Sequence, residues 1–216
     1  QSFFEQMPDS KLNFLIYNTR RPAFWNFQSY NLIKQSECIV ETENSLSDTS
    51  FKKIVSDGRL QMEAKISDLF SEESFFKSFF SIGGVSFWST FKSFFQKFLR
   101  KRAFEFIVEI ELTKKLMEKY HFSSILILSE AGSNEKIALQ LAHQRQIPVC
   151  LVQHGINYNT KESYDMNVAK GALPIKSDHF LCWGKIGEEF SQSMGINVEK
   201  VHSIGSPIFD RLRFDE

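Results

Sequence analysis

Pro148-Val149-Cys150-Leu151-Val152 runs without a polar residue and stops at Gln153-His154-Gly155. A short apolar run bounded by Pro and Gly reads as a strand buried on both faces. That environment belongs to a parallel sheet covered by helices. Gln153 and His154 then stand at the strand's carboxyl end, the edge where open parallel sheets hold their ligands.

The same grammar repeats on either side. Residues 124–129 (Ser-Ile-Leu-Ile-Leu-Ser) form a second buried strand. After the Glu130-Ala131-Gly132 turn, Ser133 reads as an N-cap, and Ile137, Ala138, Leu141 and Ala142 give the next helix its inner face. A polar loop over 156–177 leads to a strand at 178–184, a short helix from Lys185 to Met194 stopped by Gly195, and a last strand at 201–205. Near the start, 12–17 is a strand ending in the polar loop Asn18-Thr19-Arg20-Arg21-Pro22. Residues 23–34 have aromatic and apolar side chains at roughly helical spacing, and 38–40 read as a short second strand. This alternation predicts an α/β fold: a Rossmann-like, doubly wound, mostly parallel sheet with helices on both faces. The chain has neither a GxGxxG nor a Walker A motif, so the dinucleotide and P-loop fingerprints are absent.

The middle of the chain is different. Residues 41–50 form a polar loop, and 51–70 show only weak helical spacing at Ile54, Leu60, Ala64 and Ile66. Residues 75–106 hold eleven of the 23 phenylalanines, divided by Gly83-Gly84. Phe87, Phe91, Phe94, Phe95 and Phe98 fall on one helical stripe accompanied by Lys92, Lys97, Arg100, Lys101 and Arg102. Phe104, Val108, Leu112, Leu116 and Tyr120 continue at i+4 to a helix end near His121. The stripe has three readings: packing on the core, a greasy basic surface over 75–102 that meets the inner membrane face or a lipid-linked substrate, or a seat for a partner helix. A Phe-rich helical insertion over about 51–102 in a domain of 1–207 accommodates all three.

Composition narrows the function classes. Lys+Arg and Asp+Glu are 26 each, so no net charge argues for a nucleic-acid partner. Cys38, Cys150 and Cys182 are far apart and odd in number, and no CxxC or Cys/His cluster suggests zinc, so no metal is expected. Buried thiols without a disulfide pattern fit a reducing, cytoplasmic setting. No run reaches the ~18 apolar residues that a spanning helix needs. The first five residues show no signal peptide, and an opening Gln in place of Met suggests a fragment.

Three strand ends should converge on one rim. They offer Arg20 and Arg21, then Glu130 with Gly132, Ser133 and Asn134 at a helix start, then Gln153, His154 and Gly155. Histidine exchanges a proton near neutral pH and can act as general base toward a hydroxyl. Glu130 could orient the imidazole, bind substrate hydroxyls or simply cap the following helix. The helix start could hold an anion or a hydroxyl cluster. The arginines could clamp phosphate or carboxylate, or stay solvated. His121, His143, His179 and His202 read as structural or surface residues.

The ordered set Val152-Gln153-His154-Gly155, Asp178-His179-Phe180-Leu181-Cys182-Trp183-Gly184 and Ile204-Gly205-Ser206-Pro207-Ile208-Phe209-Asp210 resembles the N-terminal half of GT-B glycosyltransferase-like proteins of surface and capsular polysaccharide synthesis. That group includes the CDP-glycerol glycerophosphotransferase relatives. The likeness covers 104–212 well, 12–34 loosely and 41–100 not at all. It implies a domain that binds a carbohydrate or lipid-linked acceptor, with His154 as base or beside the reacting hydroxyl. Residues 208–216 would begin the crossover to a C-terminal domain that holds the nucleotide-activated donor, so no cofactor is expected in this chain. The resemblance implies a cytoplasmic transferase, peripheral at the inner membrane face. Two further readings stay open: a nucleotide-sugar epimerase of the related two-domain type, and a non-catalytic binding or scaffold domain.

Overall fold

The computed structural model describes residues 14–17, 32–33, 46–155 and 163–206. The chain divides into two compact units, one of Gln1–Glu41 with Thr113–Glu216 and one of Thr42–Leu112.

The first unit is a six-stranded sheet. β1 is Phe14–Tyr17, β2 Leu32–Ile33, β5 Ser124–Ile127, β6 Val149–Val152, β7 His179–Cys182 and β8 Val201–Ser203. β3 and β4 lie in the second unit. The order is β2-β1-β5-β6-β7-β8 and every pairing is parallel. The chain steps outward from β1 to β2, then returns to β5 on the other side of β1. That reversal makes the β1/β5 boundary the switch point of the sheet, where the carboxyl ends open a crevice. The expected α/β class is therefore the observed one.

Sequence explains the central strands directly. All four residues of β5 and of β6 are buried, as a strand covered on both faces requires. Ile125, Ile127, Val149, Leu151 and Phe180 join Leu139, Ala142 and Leu116 in one apolar cluster. Each fully buried aliphatic of this kind contributes about 1.5–3 kcal/mol. Helix α4, Ser133–Gln144, and helix α6, Lys185–Ser193, end alike. After α6, Gly195 at φ +79° donates to the Gln192 carbonyl and Ile196 to the Ser191 carbonyl, a Schellman ending. After α4, Gln146 takes the left-handed position at φ +59°, and Ile147 donates to the Ala142 carbonyl.

Several expectations need correction. Leu32–Ile33 is a strand pairing with β1, where aromatic spacing predicted the end of a helix over 23–34. Two apolar residues satisfy either period, so spacing alone does not decide them. The proposed strand at 38–40, the rest of that helix, and Cys38 lie outside the described residues. Helix α5, Ser163–Ala169, occupies part of the expected loop over 156–177. The N-cap of α4 is Gly132 (φ −64°, ψ 142°), with Ser133 at the first helical position.

In the second unit, helix α1 spans Thr49–Ser71, capped by Asp48, whose Oδ1 accepts from Ser50 N at 2.9 Å. Its inner face is Phe51, Val55, Ile66 and Phe70, while Ile54 and Leu60, which carried part of the expected spacing, face solvent. Helix α2, Glu73–Phe79, leads into a hairpin of β3, Ser81–Ile82, and β4, Val85–Ser86. Gly83 and Gly84 have φ of +59° and +83°, the two left-handed residues of a type I′ turn. Helix α3, Trp88–Lys119, is continuous for 32 residues, because nothing between Phe98 and Phe104 breaks it. Phe70, Phe76 and Trp88 stack at 4.6–6.1 Å, and Phe91, Phe95 and Leu99 pack against them. The Phe stripe is thus divided: Phe91 and Phe95 serve the core, whereas Phe87, Phe94 and Phe98 are exposed.

Among the described residues, no helix is long and apolar enough to cross a membrane, and no group of three or more His, Cys, Asp or Glu could hold a metal ion. Cys150 and Cys182 are buried strand residues. Burial pushes the Cys150 thiol up to about 11 and raises that of Cys182 as well. The thiolate is the reactive form, so both should resist an aromatic disulfide reagent at pH 8 in the folded protein and react at once after unfolding. Rapid native labelling of either, located by peptide mass mapping, would contradict this packing.

Candidate functional site

The register brings the three predicted strand ends together. β5 lies between β1 and β6, with Tyr17 opposite Ile127 and Ile127 opposite Leu151. The segments after β5 and β6 therefore leave the same edge side by side. Arg20 and Arg21, which follow β1, lie outside the described residues.

His154 is exposed, immediately after buried Gln153. Gln153 holds that turn in place. Its backbone N–H donates to the Leu181 carbonyl, its Nε2 donates to the Gly155 carbonyl at 3.0 Å, and its Oε1 accepts from Trp183 N at 2.8 Å. Gly187 keeps the space for that amide, since a Cβ there would come within 2.7 Å of Gln153 Oε1. The side chain expected to meet substrate thus locks the β6 and β7 exits to each other. Gly155 is half-buried, with open space where a Cβ would project.

Glu130 is buried, and its carboxylate accepts from two backbone N–H groups. Ser177 N donates to Oε1 at 2.7 Å, and Lys176 N lies 3.2 and 3.1 Å from the two oxygens. Its own N–H donates to the Gly171 carbonyl. Gly171, at φ +65°, passes so close that a Cβ would lie 2.4 Å from Glu130 N and 2.1 Å from Ala131 N. Glu130 therefore fastens the 171–177 segment beside the β5 exit. The observed partners are backbone amides of that segment, rather than an imidazole or the N–H groups of α4.

The start of α4 carries its own carboxylate. Glu135 is buried at the third helical position and lies over Gly132, where a Cβ would meet its Oε2 at 1.9 Å. A negative group there complements the helix end and the free amides. It also lowers the attraction of this N-terminus for a phosphate. Ser133 Oγ lies 3.4 Å from Asn134 Oδ1, and both residues are half-buried at the rim. Ser129 completes the turn by donating to the Lys170 carbonyl at 2.8 Å and accepting from Ala131 N at 3.0 Å.

Sequence reasoning missed Ser129, Glu135 and Gly171. Glu135 had a readable signal, since a Glu three residues into a helix commonly reaches back to its cap. The signal was obscured by assigning the cap to Ser133. Gly171 and Ser177 had none, because their partners are about 40 residues away in the chain.

The opposite end of the sheet holds the other histidines. His143 Nε2 lies 3.1 Å from Asp178 Oδ2, which also accepts from Val149 N at 2.8 Å. With Gln146, Ile147, Pro148 and His179 these residues line a depression of about 450 Å³. His179 Nδ1 and His202 Nε2 are 3.0 Å apart, so one imidazole must supply the lone pair. Burial, and then His179, hold the His202 pKa below its ordinary value. At this residue the unfolded chain therefore binds more protons, and its contribution to stability falls with falling pH. The His202 contribution is present above about pH 6.5 and is lost as acidification passes its lowered value. His202→Gln should show a smaller drop in melting temperature between pH 7.5 and 5.5 than the unsubstituted chain. An equal drop would remove His202 as a source.

No protein-family model matches the chain, and no curated protein matches it. Solved structures that match part of the chain include two epimerases. UDP-N-acetylglucosamine 2-epimerase from Rickettsia bellii is 18% identical with a TM-score of 0.37, over 49% of this chain and 29% of that one. UDP-GlcNAc 2-epimerase from Neisseria meningitidis, bound to UDP-GlcNAc, is 18% identical with a TM-score of 0.39, over 52% and 30%. The matches span about three-tenths of each epimerase. Neither TM-score reaches 0.5, so the fold assignment rests on the strand order and register of this chain.

Proposed function

We propose that the parallel-sheet unit is the acceptor-binding half of a transferase that moves a nucleotide-activated sugar or glycerol phosphate onto a hydroxyl, with His154 as general base. The observation that carries this reading is the setting of His154. It is an exposed imidazole at the carboxyl end of a fully buried strand, beside the switch point, on a turn fixed by Gln153. His154 removes the proton as the acceptor oxygen attacks the donor's anomeric carbon or phosphorus, and the nucleotide leaves with the bonding electron pair. Ser133, Asn134 and Gly155 line the acceptor side, and Glu135 lowers the attraction of that side for a phosphate. Arg20 and Arg21 would contact anionic groups from the β1 exit. Glu130, assigned to the chemistry on sequence grounds, is better supported as the residue that positions this rim.

The test is product analysis. The intact native polypeptide is incubated with nucleotide sugars or CDP-glycerol and a hydroxyl acceptor, alone and as His154→Ala. Transfer to acceptor that collapses in the variant is the expected result. Release of a free epimer without acceptor would replace the transferase reading by the epimerase one. Saturable acceptor binding without turnover would leave a binding role.

A further inference from the structure

We infer that the helical unit docks on an anionic phospholipid surface through the β3–β4 hairpin tip and one face of α3. The basis lies within this unit and is independent of the chemistry at His154. Residues 74–104 contain six Lys or Arg and no Asp or Glu. Phe94, Lys97, Phe98 and Lys101 follow the i, i+3, i+4, i+7 spacing and share one exposed helix face. Lys77 and Lys92 pair with Glu73, Arg100 with Glu63 and Arg102 with Glu105. Lys97 and Lys101 have no ionic partner among the described residues. Lys97 therefore sits between the exposed rings of Phe94 and Phe98, and Lys101 follows one turn on.

The exposed rings are linked through half-buried Phe80 and Phe91, which also pack on the core. Successive centroids from Phe75 to Phe79, Phe80, Phe87, Phe91, Phe94 and Phe98 are 5.8, 5.0, 5.8, 6.4, 5.4 and 6.3 Å apart. Phe75, Phe79, Phe94 and Phe98 are 56%, 68%, 62% and 50% exposed. Beyond Phe80 the chain turns through Ile82-Gly83-Gly84-Val85, with Ile82 78% and Val85 72% exposed. That tip offers no side-chain donor or acceptor for directional recognition. An apolar tip flanked by aromatic rings and cations matches a bilayer interface, where contact is non-directional and anionic headgroups attract lysines. A two-fold contact of this face with itself in a second copy would bring like charge against Lys97 and Lys101.

Flotation of the full chain with vesicles of phosphatidylcholine and phosphatidylglycerol at 7:3 tests this. The protein should float with these vesicles at 0.1 M salt, much less with pure phosphatidylcholine, and be released by 0.5 M salt. K97A/K101A should lower the partition coefficient on the order of twentyfold, at about fivefold per lysine. F94S/F98S should lower it tenfold or more. Lys97 and Lys101 are solvent-exposed, so K97A/K101A should keep its melting temperature, whereas F94S/F98S loses ring contacts with Phe91 and should melt a few degrees lower while remaining folded at the assay temperature. Ile186→Ser, an 86% exposed site on α6, should bind as the unsubstituted chain does. Absence of flotation, equal binding by both double variants and the unsubstituted chain, or a dimer dispersed by F94S/F98S would each overturn the assignment.

Discussion

His154→Ala should lower turnover by about 10²–10⁴-fold while leaving the melting temperature nearly unchanged. The side chain is exposed, so its removal opens no cavity, and the turn that carries it is held by Gln153. A general base acts as the acceptor proton is transferred, so kcat should fall much more than the acceptor KM rises. His154→Gln keeps the volume and polarity and should be equally impaired, because an amide does not exchange the proton. Loss of the acidic limb of the kcat/KM profile in both variants would mark the base. A rise in KM with kcat preserved would instead make His154 a binding residue.

Glu130→Ala should cost the fold about 3 kcal/mol, because it strands the backbone N–H of buried Ser177 and takes the acceptor from the N–H of exposed Lys176. For a chain of this length that is a drop of about 6–12 °C in melting temperature. Glu130→Gln should be intermediate, since the amide retains one acceptor oxygen and turns an NH2 toward a donor. The pair of variants also separates the two roles of this residue. A catalytic Glu130 would give Glu130→Gln a near-wild-type melting temperature with turnover abolished. A fastening Glu130 gives activity that declines in step with stability. The distances to Ser177 and Lys176 favour the second outcome.

The membrane reading and the transferase reading meet at one practical point. If the acceptor is lipid-linked, turnover should rise on vesicles in the unsubstituted chain and not in F94S/F98S. Water-soluble acceptor should be used equally by both.

The buried strands were determined by sequence alone. Ile125 to Ile127 and Val149 to Val152 are apolar without interruption, and their shortness, β-branched residues and flanking Pro and Gly favour strands of a sheet covered on both faces. Their polar successors, Glu130 and His154, follow from that placement, because a parallel sheet puts every strand's carboxyl end on one edge. Gly83-Gly84 and Gly195 were legible too, since left-handed backbone is inexpensive for glycine alone. Tertiary structure decided the remainder. Local spacing is silent on which rings of the Phe stripe are inside, and the packing against Phe70, Phe76 and Trp88 selects Phe91 and Phe95. The roles of the polar rim residues were likewise set by distant neighbours: Glu130 by backbone amides 46 and 47 residues away, and Gln153 by Trp183, 30 residues on. A sequence shows that a polar residue stands at a strand end. Whether its oxygens are left for a substrate depends on which backbone donors the fold brings within reach.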